Sequence, residues 1–356
     1  MQLEYVWLDG KNSIRSKTKV ILNKEQEREQ EREQREQEEL DLKDIPIWNY
    51  DGSSTYQAFT DASEIFLYPM KLYPNPFVSS GYFVICKTSD ALCAVSIAEE
   101  IFTQSNCDKP MFGIEQEFFI KDITTGKPLG WPINGEPKMQ GDYYCSVGAD
   151  CAFGRQFLDE CMEILLKMGV GITGMNYEVA PGQAEFQVCD YGIDASHGMI
   201  MLRYVLSRVG EKYGYIIDLQ PKPIEGNWNG SGCHVNFSTL AMREENGYEI
   251  VKQCMEFLDK NHIYDIKLYG RGNEKRLTGI HETSSMDKFS YGVANRGSSV
   301  RIPTQTEKEN KGYFEDRRPA ANIDPYLVTS NLYKVTCLDH ISLYHDDRIK
   351  KILTRY

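Results

Sequence analysis

Glu115 and Glu117 stand two apart inside an apolar run, Phe112-Gly-Ile-Glu-Gln-Glu-Phe-Phe. In a strand this spacing puts both side chains on one face. Two like charges held between Ile114 and Phe118 cost stability unless a cation or water meets them, and carboxylate oxygens suit Mg²⁺ or Mn²⁺. The alternative is an exposed edge strand. A second pair, Glu178 and Glu185, brackets Val179-Ala-Pro-Gly-Gln-Ala, where Pro181-Gly182 marks a turn able to fold the two acids towards each other. A solvated turn with two surface acids is the other reading of that segment.

Downstream, Gly226-Asn-Trp-Asn-Gly-Ser-Gly-Cys-His234-Val-Asn-Phe-Ser238 is a glycine-rich loop entering a strand, and His234, Asn236 and Ser238 alternate onto one face. Such a loop can cradle phosphate through backbone amides, although it matches neither the P-loop nor the dinucleotide-binding spacing. His234 by itself also fits a satisfied structural histidine. Between positions 271 and 318 an acidic chain gathers Arg271, Arg276, Arg296, Arg301, Arg317 and Arg318. Guanidinium forks bind carboxylate and phosphate in a two-pronged way that lysine cannot copy. Surface salt bridges account for any single one of them; Arg276, Arg296 and Arg301, however, sit beside Gly, Asn or Pro turn signals rather than on regular charged faces. Glu315 adds an acid to the same region, in Gly312-Tyr-Phe-Glu-Asp-Arg-Arg-Pro.

The elements that must position these groups are partly legible. Strands are expected at Leu3–Leu8, Thr18–Leu22 and Phe83–Lys87, with a turn at Asp9-Gly10, forming a small β-rich unit that ends at residue 88. Helical periodicity begins at Ala91–Phe102. Beyond it, Met111–Ile120 and Glu185–Cys189 suit strands, while Phe157–Met168, Met199–Tyr213 and Tyr248–Tyr264 suit helices. The chain thus divides into 1–88 and 89–356, an α+β arrangement. Residues 25–39 contain only 8 Glu, 4 Gln and 3 Arg and have no apolar face to bury, so they are expected to be a solvated insertion in the first unit. With 356 residues and 41% hydrophobic content the protein can bury a sizeable core, and its formal net charge of -12 argues against nucleic acid as the main partner. Its 10 cysteines lack any C-x-x-C pair, which points to reduced thiols and a cytoplasmic setting. No apolar run approaches the roughly 20 residues of a membrane span.

Taken together, these segments resemble the glutamine synthetases of eukaryotic type. The resemblance rests on Asn49-Tyr-Asp-Gly-Ser-Ser, Phe112-Gly-Ile-Glu-Gln-Glu, Tyr143-Tyr-Cys-Ser-Val-Gly, the Gly226–Ser238 segment, Arg276-Leu-Thr-Gly-Ile-His-Glu-Thr-Ser, Gly292-Val-Ala-Asn-Arg and Gly312-Tyr-Phe-Glu-Asp-Arg-Arg-Pro, in order along the chain. It implies a small β-grasp domain followed by a catalytic domain built on a curved antiparallel sheet flanked by helices. It also implies active sites shared between adjacent subunits of a homo-oligomer, two stacked pentameric rings. The implied reaction joins ammonia to the γ-carboxylate of glutamate at the expense of ATP, with two or three Mg²⁺ or Mn²⁺ ions per site. By the same resemblance, Glu117, Glu178 and Glu185 hold one metal, and Glu115, His234 and Glu315 hold the other. Arg276, Asn229, Gly230 and Arg317 bind glutamate. His234, Asn236, Ser238, Arg243, Arg296, Arg301 and Tyr313 serve ATP, with Arg296 on the moving phosphoryl group. Asp51, from a neighbouring subunit, deprotonates ammonium, and Glu282 lies on a flap that keeps water from the acyl phosphate.

Two positions and one segment depart from the family's usual pattern. Ala184 stands where relatives commonly have Trp, Thr304 where an Arg often follows Ile-Pro, and Gln57–Glu64 replaces a Ser-rich run. The last leaves open a ligase that couples an amine larger than ammonia, while a relative without catalysis would be expected to have lost a metal ligand, and all six are present.

Overall fold

The computed structural model describes residues 1–21, 40–104 and 108–355; the Glu, Gln and Arg run at 25–39 lies outside the described residues. The chain forms two compact units. One comprises Met1–Cys93 with Lys167–Gly169 and Thr354–Tyr356, and the other Ala94–Leu166 with Val170–Leu353. Among the described residues no helix is long and apolar enough to cross a membrane, and the nine described cysteines are free.

The first unit is a five-stranded sheet of β1 (Gln2–Leu8), β2 (Ile14–Val20), β3 (Trp48–Asp51), β4 (Glu64–Pro74) and β5 (Gly81–Thr88), in the order β2-β1-β5-β4-β3. β1 and β5 run parallel and the other neighbours antiparallel. Alternation along β1 sends Leu3, Tyr5 and Trp7 into a core with Leu67, Val84 and Cys86. Asp9 makes the turn: its carboxylate accepts from Lys11 N at 2.8 Å, Ser13 N at 2.9 Å and Arg15 Nε at 2.8 Å. The second strand therefore starts at Ile14, earlier than the apolar content at Thr18–Leu22 suggests, because ladder pairing with β1 rather than burial defines it; its residues are mostly exposed or half-buried. Gln57, the first residue of the unusual 57–64 segment, is buried and ties the unit together, accepting from Tyr50 Oη at 2.6 Å and Thr55 Oγ1 at 2.9 Å while donating to Leu8 O at 3.3 Å.

Beyond Cys93 the chain runs α1 (Ala94–Phe102), β6 (Met111–Asp122), α2 (Arg155–Met168), β7 (Ile172–Tyr177), β8 (Gln183–Tyr191), α3 (Gly192–Tyr213), β9 (Tyr215–Asp218), β10 (Cys233–Ser238), α4 (Leu240–Arg243), α5 (Gly247–Asp265), β11 (Tyr291–Val293), β12 (Val300–Ile302), α6 (Thr304–Glu309), β13 (Phe314–Asp316), α7 (Pro325–Cys337) and α8 (Asp347–Arg355). The strands form one sheet in the order β11-β12-β13-β10-β6-β8-β7, with β9 paired to the end of β6. Pairing is antiparallel throughout except for β11 with β12. The fold is α+β.

The two faces of β6 explain how the sheet carries a site. Phe112, Ile114, Gln116 and Phe118 are fully buried on one face, where Gln116 Oε1 accepts from Arg203 Nε of α3 at 2.8 Å. Glu115 and Glu117 occupy the other face. α3 begins seven residues before the Met199 expected from apolar periodicity, and the cause is a set of buried polar contacts to α7. Ser196 Oγ donates to Pro325 O at 3.1 Å, and His197 Nδ1 lies 2.9 Å from Tyr326 Oη. Gly198 lets the helix approach the sheet, since a Cβ there would stand 3.0 Å from Val188 Cγ1. Gly214, at φ 68°, ends the helix with its N–H on Glu211 O and Gly210 O.

Candidate active site

Strand register assembles the site row by row. His234 of β10 lies opposite Glu115 of β6, which lies opposite Gln187 of β8. In the next row Glu117 faces Glu185, and Glu185 faces Asn176. On the other side Arg301 of β12 pairs with Glu315 of β13, and Glu315 with Asn236. The β7–β8 hairpin brings Glu178 to the same face, so the turn at Pro181-Gly182 folds the two acids into one cavity rather than onto the surface.

This cavity, of about 270 Å³, is lined by Glu115, Glu117, Glu178, Glu185 and His234, by Arg276, Arg296, Arg301 and Arg317, and by Asn229, Gly230 and Glu282. Glu315 is fully buried beside it, its Oε1 3.7 Å from His234 Nδ1. Ligand atoms of Glu115, His234 and Glu315 all lie within 4.8 Å of one another. Among the described residues no other trio of this kind closes so tightly; Glu117, Glu178 and Glu185 share the cavity as a looser acidic patch.

Electrostatics mark the patch as a place for positive charge. Burial, and then repulsion from Glu117, pushes the Glu178 carboxyl up to about 8. Burial followed by Glu115 and Glu117 takes Glu185 up to about 9. Glu117 is raised as well, chiefly by burial, with Arg276 opposing. Burial also lowers the His234 imidazole well below its ordinary value, with Arg317 and Arg276 adding to the effect. Carboxylates crowded out of water and repelling one another are what a hard divalent cation relieves, and five carboxylates with one imidazole form a donor set that Mg²⁺ or Mn²⁺ accepts. The residues fit such ions.

The arginines fall into two sets. Arg276 donates to Arg317 O at 3.0 Å and Arg318 O at 3.3 Å, and its Nη2 reaches His234 Nε2 at 2.8 Å. Arg317 Nη1 pairs with Glu315 Oε1 at 2.6 Å, and Arg301 Nε with Glu315 Oε2 at 2.5 Å. Arg296 Nη2 meets Glu282 Oε2 at 2.8 Å, both side chains being nearly half exposed. Arg318 turns the other way, fully buried against Asp316, and Arg271 is exposed and lines no part of the cavity. Strand alternation after β13 separates Arg317 from Arg318.

Several amides of the glycine-rich loop are engaged within the chain: Trp228 N donates to Gly226 O, Asn229 N to Gln140 Oε1, Ser231 N to Pro221 O and Gly232 N to Glu117 Oε2. The loop also shapes the cavity wall. Gly230 has no room for a Cβ, which would sit 2.3 Å from Pro221 O, and Asn229 Oδ1 is buried without a donor from the chain. Asn236, Ser238, Arg243 and Tyr313 lie outside the cavity lining. Asn236 Nδ2 donates to Glu115 Oε1 at 2.8 Å, and Arg243 Nη1 donates to Ser238 Oγ at 2.8 Å. Tyr313 is 42% exposed, its phenol raised by burial and by Glu115 and Glu315. Asp51 lies in the first unit, exposed, with Ser53 Oγ at 2.6 Å and Ser53 N at 2.9 Å holding it below the usual carboxylate range.

Sequence reading missed Asn176, Gln183 and Gln187, which also line the cavity. The signal was available, since Gln183, Glu185 and Gln187 follow the strand period and Asn176 stands two before Glu178.

The family model for the glutamine synthetase catalytic domain matches residues 95–253. The chain is 44% identical over 346 residues to a cytosolic glutamine synthetase isozyme of Pinus sylvestris, covering 94% of this chain and 93% of that one. The chain belongs to the glutamine synthetase family. A cytosolic isozyme of Daucus carota is 43% identical over 350 residues, 94% of each chain, and a chloroplastic glutamine synthetase of Brassica napus is 45% identical over 346 residues, 94% of this chain and 78% of that one. As a glutamine synthetase, it is a ligase that makes glutamine from glutamate and ammonia.

Proposed function

We propose that the cavity phosphorylates the γ-carboxylate of glutamate with ATP and then admits ammonia, giving glutamine, ADP and phosphate through a γ-glutamyl phosphate. The observation that carries this reading is the meeting of five predicted metal ligands and four arginines in one cavity, with Glu315 joined to His234 beside it. A carboxylate is a poor electrophile until one oxygen can leave as phosphate. The protein's tasks are to hold the phosphates, hold glutamate and exclude water.

Glu115, His234 and Glu315 would hold one divalent ion, and Glu117, Glu178 and Glu185 another. When bound, Mg²⁺ or Mn²⁺ would offset the negative charge that gathers on phosphate and carboxylate during transfer. Arg276 fixes the glutamate α-carboxylate beside Asn229 and Gly230, the bare Asn229 Oδ1 being available to the α-ammonium. Arg317 meets the γ-carboxyl end, Arg296 the moving phosphoryl group and Arg301 the ATP phosphates. The nucleotide extends along the His234, Asn236, Ser238 row of β10 towards Arg243 and Tyr313. Glu282, tied to Arg296, keeps water from the acyl phosphate. Asp51 takes the proton from ammonium, reaching a neighbouring subunit's site in a homo-oligomer of two pentameric rings.

The first unit reads as the β-grasp domain: its mixed sheet with β1 and β5 parallel at the centre supports this, and Cys93 ends its main stretch five residues past the boundary expected at 88. Reduced cysteines and the cytosolic relatives support a cytoplasmic setting.

The test is ATP-dependent coupling of glutamate with ammonium, hydroxylamine or methylamine, in Mg²⁺ and then Mn²⁺, for the wild type and Glu178→Ala. Glutamine formed by the wild type and lost in the variant supports the reading. Coupling of methylamine alone would move the substrate to a larger amine, and absence of both product and ADP would remove the reading.

A further inference from the structure

Four glutamates of the cavity each have a carboxamide of their own. Gln183 Nε2 donates to Glu117 Oε2 at 3.2 Å, Asn176 Nδ2 to Glu178 Oε1 at 3.0 Å, Gln187 Nε2 to Glu185 Oε1 at 2.9 Å and Asn236 Nδ2 to Glu115 Oε1 at 2.8 Å. The fold enforces the pairing. Gln183 and Gln187 flank Glu185 on β8 at the strand period, and Asn176 lies opposite Glu185 in the register of β7. Glu315, by contrast, is held by Arg301 and Arg317.

A neutral donor fixes a carboxylate without cancelling its charge, so the full charge remains for a cation. It also claims one oxygen. In Glu115 and Glu117 the second oxygen faces His234, Glu115 Oε2 at 3.4 Å from Nδ1 and Glu117 Oε1 at 3.8 Å from Nε2. A glutamate tethered at one oxygen cannot pivot to offer both equally. Mg²⁺ and Mn²⁺ suit octahedral sets of single oxygens, whereas Ca²⁺ takes roughly 6–8 oxygens at longer range and readily uses both oxygens of one carboxylate.

We propose that Asn176, Gln183, Gln187 and Asn236 are positioning residues that make these glutamates one-oxygen ligands and so set the site's selectivity for small divalent cations over Ca²⁺. The inference rests on the reading of the glutamates as metal ligands given above. Its content is the job of the amides: they exclude the wrong ion as well as supporting the right one.

The experiment measures Mn²⁺ and Ca²⁺ binding to the full-length protein by titration calorimetry, without nucleotide, for wild type, Gln187→Met, Asn176→Leu and Glu185→Ala. In the two amide variants the preference for Mn²⁺ over Ca²⁺ narrows by about 10–100-fold, mainly through loss of Mn²⁺ affinity. Circular dichroism checks folding, and if Gln187→Met does not fold, Asn176→Leu carries the test. An unaltered Mn²⁺ to Ca²⁺ ratio in folded variants, with a wild type that binds Mn²⁺ and a Glu185→Ala that binds fewer ions or binds them more weakly, overturns this proposal alone. A wild type that binds neither ion, or a Glu185→Ala of full affinity, overturns the ligand reading beneath it as well.

Discussion

Arg276 Nη2 stands 2.8 Å from His234 Nε2. A guanidinium has donors only, so without a metal ion Nε2 accepts from it and the proton of the neutral ring lies on Nδ1; an ion held beside Nδ1 would require that proton to move to Nε2 and the contact with Arg276 to give way. Nδ1 faces the oxygens of Glu115 and Glu315. The arginine proposed for glutamate and the histidine proposed for the metal are thus in direct contact, and burial takes Arg276 itself down to about 10.

Replacing Arg276 with lysine keeps a charge and loses the fork. Arg276→Lys is expected to raise the glutamate KM and lower kcat/KM by about 2–5 kcal/mol, the cost of spoiling a buried hydrogen-bonded charge, with the ATP KM little changed. Steady-state kinetics with each substrate varied in turn checks this. Equal damage to both KM values would contradict the assignment.

The raised carboxyls give a pH signature with a definite sign. Glu178 and Glu185 titrate near 8 and 9 in the metal-free fold, above their unfolded value near 4.5. Their contribution to stability is full below about pH 4.5 and is lost as pH rises through about 8–9. A divalent cation binds the ionised forms and reverses the loss. Thermal unfolding in EDTA and in Mg²⁺, from about pH 6 to 9, is expected to show a stabilisation by Mg²⁺ that grows with pH; an increment independent of pH would count against the acidic patch as the binding place.

The Arg296–Glu282 pair is nearly half exposed on both sides, and such pairs add only about 0–1 kcal/mol to stability. Glu282→Gln should therefore unfold almost like the wild type yet release phosphate without making glutamine, because water reaches the acyl phosphate. The readout is the ratio of phosphate to glutamine, and a ratio that stays at unity would show that Glu282 guards nothing.

On the far side of β13, Arg318 is fully buried with Nε 2.9 Å from Asp316 Oδ1 and Nη2 2.8 Å from Oδ2, while Tyr269 Oη donates to the same Oδ2 at 2.9 Å. Asp316→Asn strands a buried charge and is expected to cost about 3–5 kcal/mol in denaturant unfolding. Adding Arg318→Met to it should recover part of that loss. Since β13 also carries Glu315 and leads into Arg317, the single variant is expected to lower metal affinity too.

How much of this the sequence disclosed depended on periodicity. Glu115 with Glu117 sits in a 12-residue strand whose alternation is unmistakable, so the carboxylate face was readable from the residues alone. β11, β12 and β13 have three residues each, too few for any period to emerge, so periodicity could not tell Arg301 and Arg317 from Arg271 and Arg318, and only the family resemblance separated them. α7 hid for the opposite reason: eleven of its residues, Pro325 to Thr336 apart from Lys334, are buried, so it has almost no polar face to set a rhythm. In the glycine-rich loop, glycines that make room for a wall look in sequence like glycines that free amides for phosphate, so the sequence could not tell the two uses apart. Asn176, Gln183 and Gln187 escaped notice because a neutral amide advertises no chemistry until the acid it serves is beside it.

The central claim is that this cavity turns the γ-carboxylate of glutamate into an acyl phosphate before ammonia arrives. Glutamate labelled with oxygen-18 in its γ-carboxylate, incubated with the enzyme, ATP, Mg²⁺ and ammonium, tests it in a single reaction followed by phosphorus NMR and mass spectrometry. The account predicts that each phosphate released carries one labelled oxygen and that phosphate and glutamine appear in equal amounts. Unlabelled phosphate, or ADP formed with no glutamine, would contradict it.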